Sequence, residues 1–285
     1  MVPTPLRDLA GRPDRCSLNT ATLGHREPVA AIAQRVAAAG FGWITPWRRE
    51  IDERQPARDA EAIRAAGLRV RSYCRTAYLA HASETARMEA VDDNRRALDA
   101  AAALGARELV AVVGGLADGS RDIDGSRAQI LRGLEALMPA IESTGVTIAL
   151  EPLHPFYAAD RSLLNTIAQA QVWCETLDPE GRYFGIAVDA YHVWWDPLLA
   201  SSVAGAGPRI GAFHVSDWLR HTQEPLLDRG MMGDGVIDLK RLRGMVEATG
   251  FDGPVEVEVF SRDRWWKEDP NVVLRTCRER LDTVC

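Results

Sequence analysis

Four acidic or imidazole side chains follow short apolar segments in the second half of the chain, and these residue types bind divalent cations. Glu151 follows the apolar run 146–150, and Asp189 ends the run GIAVD. His214 lies in GAFHVSD and Glu258 lies in PVEVEVFS. An apolar run of this length predicts a buried strand, and an ionisable side chain at its end predicts a site. Four consecutive strands therefore each present one candidate ligand.

Three carboxylates and one imidazole form an oxygen-rich ligand set that suits hard or borderline cations. We predict one divalent metal ion, with Mn²⁺ favoured over Mg²⁺, Co²⁺ or Zn²⁺. Taken singly, each residue has a plainer interpretation as a loop charge or a helix N-cap. Glu256 and Glu258 alternate with valines, which is also typical of the polar face of an edge strand. Their joint position after successive strands favours a shared site.

Strand-like and helix-like segments alternate along the chain, and eight such pairs can be counted. A first strand is predicted within 15–24, a third at 68–74, and long helices over about 84–104 and 126–145. Alternating strands and helices imply parallel pairing, and eight units close most simply into a (β/α)8 TIM barrel. An open doubly wound sheet is the competing architecture. Its dinucleotide-binding motif is missing, since GGLADG is not GxGxxG and does not lead directly into a helix.

No linker interrupts this alternation, so residues 1–285 are predicted to form a single domain with 1–14 as an N-terminal lead-in. In a barrel all strand C-termini lie on one face, so residues far apart in sequence can converge there. Glycines mark the turns from helix to strand, at Gly40, Gly67, Gly105, Gly145 and Gly250.

Composition excludes several classes of protein. The chain is 46% hydrophobic and 26% charged, as expected of a soluble globular protein. A net charge of −6 argues against a nucleic-acid partner, because such binding depends on clustered cations. No apolar window is long enough for a membrane span, and the start MVPTPLRDLAG is unlike a signal peptide, which predicts a cytoplasmic protein. Five scattered cysteines without a CxxC motif suggest neither disulfides nor a zinc ribbon.

The strand-end motifs LEPLHP, VDAYH, FHVSD and GFDGPVEVEVFS resemble those of the xylose isomerase-like TIM barrels. This family of sugar phosphate isomerases and epimerases includes ketose 3-epimerases, hydroxypyruvate isomerase and inosose dehydratase. The resemblance covers nearly the whole chain, from SLNTATLG to VEVEVFS. It implies that Glu151, Asp189, His214 and Glu258 bind the metal. Barrels of this kind are commonly dimers or tetramers, so it also allows a homo-oligomer.

The resemblance extends to residues that contact substrate. His192, three residues beyond Asp189, and Arg229, in the loop DRGMMGDGVIDL, match the positions that bind substrate in this family. Tyr157 stands where ketose 3-epimerases carry an additional substrate-binding glutamate. This departure bears on the identity of the substrate and leaves the metal ligands unchanged.

The chemistry follows from charge. Removing a proton from a carbon next to a carbonyl leaves an enediolate, which a divalent cation stabilises. Glu151 and Glu258 can then act as base and acid on opposite sides of the sugar. Proton return to the same carbon gives an epimerase, and return to its neighbour gives an isomerase.

Other residues near the strand ends carry weaker predictions. His154 and Asp217 are assigned to substrate binding or to orienting their neighbours, with ordinary loop hydrogen bonding as the alternative. Trp47 is assigned to stacking on the sugar ring, although a tryptophan is more often packed in a core. Arg48 and Arg75 end strands and could each meet an anionic group, although a salt bridge is the favoured expectation. The segment 230–235 lacks the lysine of a P-loop, so a phosphorylated substrate is not indicated.

The leading function is therefore a divalent-metal sugar isomerase or epimerase acting on a ketose, keto-sugar or related polyol. The alternative is a lyase or dehydratase acting on an inosose, an oxidised sugar or a glycoside, because the same enediolate can expel a β-oxygen. An enzyme resembling endonuclease IV would need more histidines and a basic surface. A non-catalytic barrel would leave the four candidate ligands without a purpose.

Overall fold

The computed structural model describes residues 5–285, and these form a nearly closed barrel of parallel strands surrounded by helices. Residues 1–4 of the predicted lead-in lie outside the described residues. The predicted TIM barrel is confirmed. Its strands are β1 Cys16–Asn19, β2 Trp43–Thr45, β3 Arg69–Val70, β4 Ser72–Cys74, β5 Glu108–Ala111, β6 Thr147–Leu150, β7 Phe184–Asp189, β8 Ile210–Val215 and β9 Val255–Val257.

The third barrel position is shared by β3 and β4, which Arg71 separates. β3 pairs with β2, and β4 pairs with β5. The Arg71 N–H donates to the Ile44 carbonyl at 2.9 Å, while its own carbonyl accepts from the Arg107 N–H at 3.1 Å. One continuous segment, predicted as 68–74, therefore joins the two ends of the sheet.

Ten α-helices are found among residues 5–285, and most of them cover the outside of the barrel. The predicted long helix over about 84–104 is observed, whereas the prediction of one helix over 126–145 is wrong. Pro139 lies in the first turn of a new helix there, because proline has no N–H to continue the preceding one. The helices are α1 Val29–Ala38, α2 Pro56–Ala65, α3 Glu84–Leu104, α4 Ile123–Glu135, α5 Met138–Thr144, α6 Ile167–Leu177, α7 Ala190–Val193, α8 Leu199–Ala206, α9 Leu239–Ala248 and α10 Pro270–Thr283.

The first strand is shorter than predicted. β1 ends at Asn19, whose side-chain oxygen accepts from the Ala21 N–H and begins a 3-10 turn, Thr20–Leu23. The predicted strand over 15–24 is therefore correct only in its first half. The early end turns the Asn19 side chain into the barrel interior, where it contacts Glu256 and Glu258.

Alternation along the strands places small residues beneath the candidate ligands. Side chains of a strand alternate between its two faces, so Ala187 and Asp189 share one face of β7. Ala187 pairs with Ala212, and Asp189 pairs with His214 on β8. Ala149 completes a buried alanine cluster with these two alanines. Small apolar side chains thus lie beneath the ionisable groups at the carboxyl end of the barrel.

No helix in residues 5–285 is long and apolar enough to cross a membrane.

Candidate metal centre and active-site cavity

The four predicted ligands meet at the carboxyl ends of the strands. Glu151 directly follows β6, Asp189 ends β7, His214 lies near the end of β8, and Glu258 directly follows β9. One nitrogen or oxygen from each residue lies within 4.8 Å of the other three, and all four residues are buried. Because β9 pairs with both β1 and β8, it is not an edge strand, and its glutamates point into the barrel.

His214 lies between two glutamates. Its Nδ1 is 3.2 Å from Glu151 Oε1 and 3.8 Å from Glu258 Oε2. Arg229 contacts the other side of the cluster, where its Nη1 is 2.8 Å from Asp189 Oδ2 and 3.2 Å from Glu258 Oε2. The cluster therefore combines three carboxylates with one guanidinium and one imidazole.

A further glutamate, Glu256, lies beneath the cluster on β9. Its carboxylate accepts hydrogen bonds from Ser17 Oγ at 3.0 Å, Asn19 Nδ2 at 3.1 Å and Thr45 Oγ1 at 2.6 Å. Its Oε1 is 3.6 Å from His214 Nε2. Glu256 thus faces the ring nitrogen of His214 that points away from Glu151, and it can fix the orientation of the imidazole. The sequence places Glu256 in the interior through its period of two, but it assigns the residue no role.

Buried negative charge raises the pKa values in this cluster. Burial, reinforced by the charge of Glu151, raises the pKa of Glu258 to about 8, although Arg229 opposes the shift. Burial likewise raises the pKa of Asp189. For His214, burial alone would lower the pKa, but Glu256, Glu151 and Glu258 together raise it well above the usual value. The cluster holds more negative charge than its own cations balance.

This arrangement fits a divalent cation. Oxygen and nitrogen ligands bind such ions at ~2.0–2.6 Å, so ligands on opposite sides of one ion lie ~4–5 Å apart. The separations of up to 4.8 Å in the cluster match that spacing. A cation would also compensate the excess negative charge, whereas a buried, unbalanced carboxylate is costly. A buried cluster of Glu, Asp and His that could hold a metal ion is thus present.

A cavity of about 210 Å³ opens onto the cluster. This volume is below the ~300–1,000 Å³ typical of pockets for drug-sized molecules, which suits a small ligand. Of the four clustered residues, Glu151 and Glu258 line the cavity, whereas Asp189 and His214 lie behind its wall. His192 and Arg229 also line it.

His192 and Arg229 contact each other across the cavity wall, with Arg229 Nη2 3.1 Å from His192 Nε2. Burial and the Arg229 charge lower the pKa of His192 well below its usual value, so its imidazole is neutral near pH 7. The Arg229 guanidinium also lies against the Tyr191 and Phe260 rings, 4.4 and 4.9 Å from their centroids. The two side chains are therefore held rigidly beside the cluster.

Comparison with known families decides the classification. The model of the xylose isomerase-like TIM barrel matches residues 33–277. The chain belongs to this family. Curated relatives include an L-ribulose-5-phosphate 3-epimerase UlaE from Escherichia coli, 24% identical over 86% of each chain, and one from Salmonella heidelberg, 24% identical over 78% of each chain. These relatives are named epimerases, which confirms the predicted enzyme class, a sugar isomerase or epimerase.

Solved structures agree with this classification. Protein SMc04130 from Sinorhizobium meliloti 1021 is 45% identical, has a TM-score of 0.92, and is matched over 96% of this chain and 99% of its own. The IolI protein with a bound zinc atom superposes with a TM-score of 0.82 at 20% identity, covering 95% and 97% of the two chains. A D-psicose 3-epimerase studied with D-fructose has a TM-score of 0.76 at 15% identity, covering 94% and 96%. The latter two likenesses show the fold.

Two residues assigned to substrate binding do not line the cavity of this xylose isomerase-like barrel. The Asp217 carboxylate instead accepts from the N–H groups of Gly233, Gly235 and Ile237 at 2.8–2.9 Å, so it organises the loop after β8. The His154 ring stacks on Trp218 at a centroid distance of 4.8 Å. For Asp217 the alternative interpretation, loop hydrogen bonding, describes the structure, because backbone donors already surround its carboxylate.

Other predicted residues lie closer to the cavity. Trp47 lines it and donates from Nε1 to Asn19 Oδ1 at 2.7 Å. Arg48 forms the expected salt bridges, with Glu53 and Asp93 at 2.6 Å each. Arg75 also lines the cavity, but it makes no salt bridge among the residues that the structure describes.

His25 is a cavity residue that the sequence did not indicate. Its Nδ1 lies 2.6 Å from Glu50 Oε1, and its ring packs edge-on against Trp47 and Trp266. His25 follows Gly24 in a left-handed turn with φ of 57°. The sequence offered no signal for it, because His25 directly follows the segment 15–24, which was predicted as a strand and not as a turn.

Proposed function

We propose that this protein is a divalent-metal-dependent isomerase or epimerase that acts on a ketose, keto-sugar or related polyol. The observation that carries the proposal is the position of the Glu151, Asp189, His214 and Glu258 cluster at the base of a small cavity. All four residues are proposed as metal ligands, with Mn²⁺ as the favoured ion. A divalent ion held by these four residues would supply positive charge that stabilises the oxygens of an enediolate.

Glu151 and Glu258 are the proposed acid and base. Two facts support this assignment: both are in the cluster, and both face the cavity, whereas Asp189 and His214 do not. A proton acceptor and donor must reach the substrate directly. One glutamate takes the proton from the carbon beside the carbonyl, and the other returns a proton from the opposite side.

His192 and Arg229 are proposed to bind a substrate oxygen. Arg229 lines the cavity while ion-paired to Asp189 and Glu258, so its position is fixed before substrate arrives. Because a guanidinium can only donate, His192 Nε2 accepts from Arg229. Such preorganised donors stabilise negative charge on oxygen as the proton leaves. Trp47 contributes an aromatic wall against which a sugar ring can pack.

The names of the relatives suggest the first substrates to test. The curated relatives are L-ribulose-5-phosphate 3-epimerases, and one structural neighbour is a D-psicose 3-epimerase. In its most specific form, the proposal is therefore epimerisation at the third carbon of a ketopentose, a ketohexose or one of their phosphates. A cytoplasmic location, a homo-oligomeric state and the absence of a nucleic-acid partner stay predictions.

The test is a solvent-exchange assay. Mn²⁺-loaded protein is incubated in deuterated water with a panel of ketoses, and deuterium incorporation and product configuration are followed by NMR. We expect deuterium at a carbon next to the carbonyl, together with an epimer or an isomer. An unsaturated product would identify a lyase, and no exchange with any ketose would contradict the proposal.

A further inference from the structure

The cavity is also lined by two arginines, Arg75 and Arg161, which have no role in the proposed chemistry. We call them the arginine wall. Arg75, from the loop after β4, lines the cavity, and its only hydrogen bond among residues 5–285 runs from Nη1 to the Thr76 carbonyl at 3.0 Å. No carboxylate of those residues lies within salt-bridge distance of it. The guanidinium stacks instead on the Tyr78 ring, 4.6 Å from the centroid. A positive charge thus faces the cavity without an ion-pair partner among the described residues.

A second arginine adds to the same charge. Arg161, from the loop after β6, lines the cavity, and its nearest carboxylate is the exposed Asp160, at 3.8 Å. Burial lowers the pKa of Arg75, and the charge of Arg161 lowers it further. The two guanidinium groups therefore repel each other, and an anion between them would relieve both the repulsion and the burial cost.

Tyr157 supplies an unpaired hydroxyl in the same cavity. The residue is only 2% exposed and lines the cavity, and its hydroxyl has no hydrogen-bond partner among the described residues. The Arg161 guanidinium lies 6.0 Å from its ring centroid. Buried polar groups in native proteins are nearly always paired, so an unpaired hydroxyl in a cavity indicates a ligand atom.

We propose that the substrate carries an anionic group, a phosphate or a carboxylate, that binds Arg75, Arg161 and the Tyr157 hydroxyl. This inference rests on the proposed function: the carbonyl end of the substrate lies at Glu151 and Glu258, and the anionic end lies at the arginine wall. Guanidinium groups bind both anions through charge-assisted hydrogen bonds. The segment 230–235 lacks a P-loop lysine, and for that reason the sequence did not indicate a phosphorylated substrate. Binding of a phosphate by Arg75 and Arg161 does not require a P-loop.

The first experiment measures anion binding without turnover. Inorganic phosphate and acetate are titrated by calorimetry into the Mn²⁺-loaded wild type and into the Arg75→Met and Tyr157→Phe variants. We expect phosphate or acetate to bind the wild type, with affinity about tenfold to a hundredfold weaker in Arg75→Met. Tyr157→Phe removes only the hydroxyl and should weaken binding about threefold to tenfold. The matched control is Arg182→Met, since Arg182 is an exposed arginine paired with Glu180.

The second experiment compares a neutral ketose, its terminal phosphate and the corresponding keto-sugar acid in the exchange assay. We expect the wild type to prefer one of the two anionic substrates, and which one distinguishes phosphate from carboxylate. Arg75→Met should abolish that preference by raising KM for the anionic substrate, while the neutral substrate is little affected. Tyr157→Phe, which keeps the cavity shape, gives the same reading if Arg75→Met fails to fold.

Three results would overturn the inference. They are absent binding of both anions to the wild type, equal binding to wild type and Arg75→Met, or equal turnover of neutral and anionic sugars. If the anions bind and Arg75→Met releases them, but no sugar exchanges its proton, then the anion site stands and the proposed function fails.

Discussion

Two buried ionic groups lie at opposite ends of the barrel interior, and they differ in how their charges balance. At the amino ends of the strands, Arg71 Nη2 lies 2.7 Å from Glu108 Oε1, one cation against one anion. At the carboxyl ends, the carboxylates of Glu151, Asp189 and Glu258 share one guanidinium and one imidazole, with a further glutamate beneath them.

The difference separates a structural role from a functional one. A balanced pair satisfies its own charges and needs no ligand. An excess of buried carboxylates destabilises the fold unless protons or a cation neutralise it. Burial also raises the pKa of Glu108 at the amino end, so the excess of carboxylates, rather than a perturbed pKa alone, distinguishes the carboxyl end as the functional site. The amino end is therefore expected to affect stability and the carboxyl end activity, and each of the following changes tests that division.

The largest effect is expected from Glu258→Gln. The amide keeps the shape of the side chain but cannot transfer a proton, so kcat should fall about 10²- to 10⁴-fold. Steady-state kinetics on the best ketose substrate measures this. Glu135→Gln, an exposed glutamate on α4, is the matched control and should leave kcat unchanged. Full turnover by a Glu258→Gln protein that still holds metal would refute the acid/base role.

Arg71→Met should act on stability instead. Removing one partner of a buried pair leaves an uncompensated charge and costs about 3–5 kcal/mol of unfolding free energy. Chemical denaturation measures this, and kcat of the folded variant should stay near the wild-type value. The Arg71→Met/Glu108→Met double variant removes both charges and should recover much of the loss. A large drop in kcat with an unchanged unfolding free energy would contradict the assignment of a structural role to the Arg71–Glu108 pair.

Metal removal should change only the properties that depend on the cluster at the carboxyl ends of the strands. Treatment with EDTA should abolish exchange activity, and Mn²⁺ should restore it. An ion present at a hundred times its Kd adds about 2.7 kcal/mol to the unfolding free energy. Thermal denaturation should show that increment in the wild type and in Arg71→Met, but not in a His214→Ala variant. Equal stabilisation of His214→Ala would place the ion elsewhere.

The smallest effect concerns pH in the metal-free protein. Glu258 has a folded pKa of about 8, against its ordinary value of 4.5, because burial and the Glu151 charge raise it. Between those values the folded state holds a proton that the unfolded state has lost, so the unfolding free energy falls as pH rises through this window. The raised pKa values of Asp189 and His214 act in the same direction. Below the window this contribution is fully retained.

The measurement is Tm in EDTA over about pH 5.5 to 8.5, where we expect a decrease of a few degrees. Glu258→Gln should show a shallower slope, because it cannot release that proton. Mn²⁺ should flatten the slope in the wild type, since the ion replaces the protons. An identical slope in wild type and Glu258→Gln would remove Glu258 as the cause.

The sequence predicted what depends on strand periodicity and missed what depends on loop conformation. The four clustered residues were found because each ends a strand, and strand ends of a parallel barrel share one face. For Asp217 the sequence left substrate binding and loop hydrogen bonding as alternatives, and the structure shows a loop that folds back and surrounds the carboxylate with N–H groups. For Arg75 the sequence left an anionic group and a salt bridge as alternatives, because contacts between loops decide between them and strand periodicity does not.

Whether the four clustered residues bind one ion can be measured by diffraction from crystals grown with Mn²⁺, using the anomalous signal of manganese. We expect a single anomalous peak per chain within about 2.0–2.6 Å of ligand atoms from Glu151, Asp189, His214 and Glu258. No peak at the cluster, or a peak bound by other residues, would contradict it.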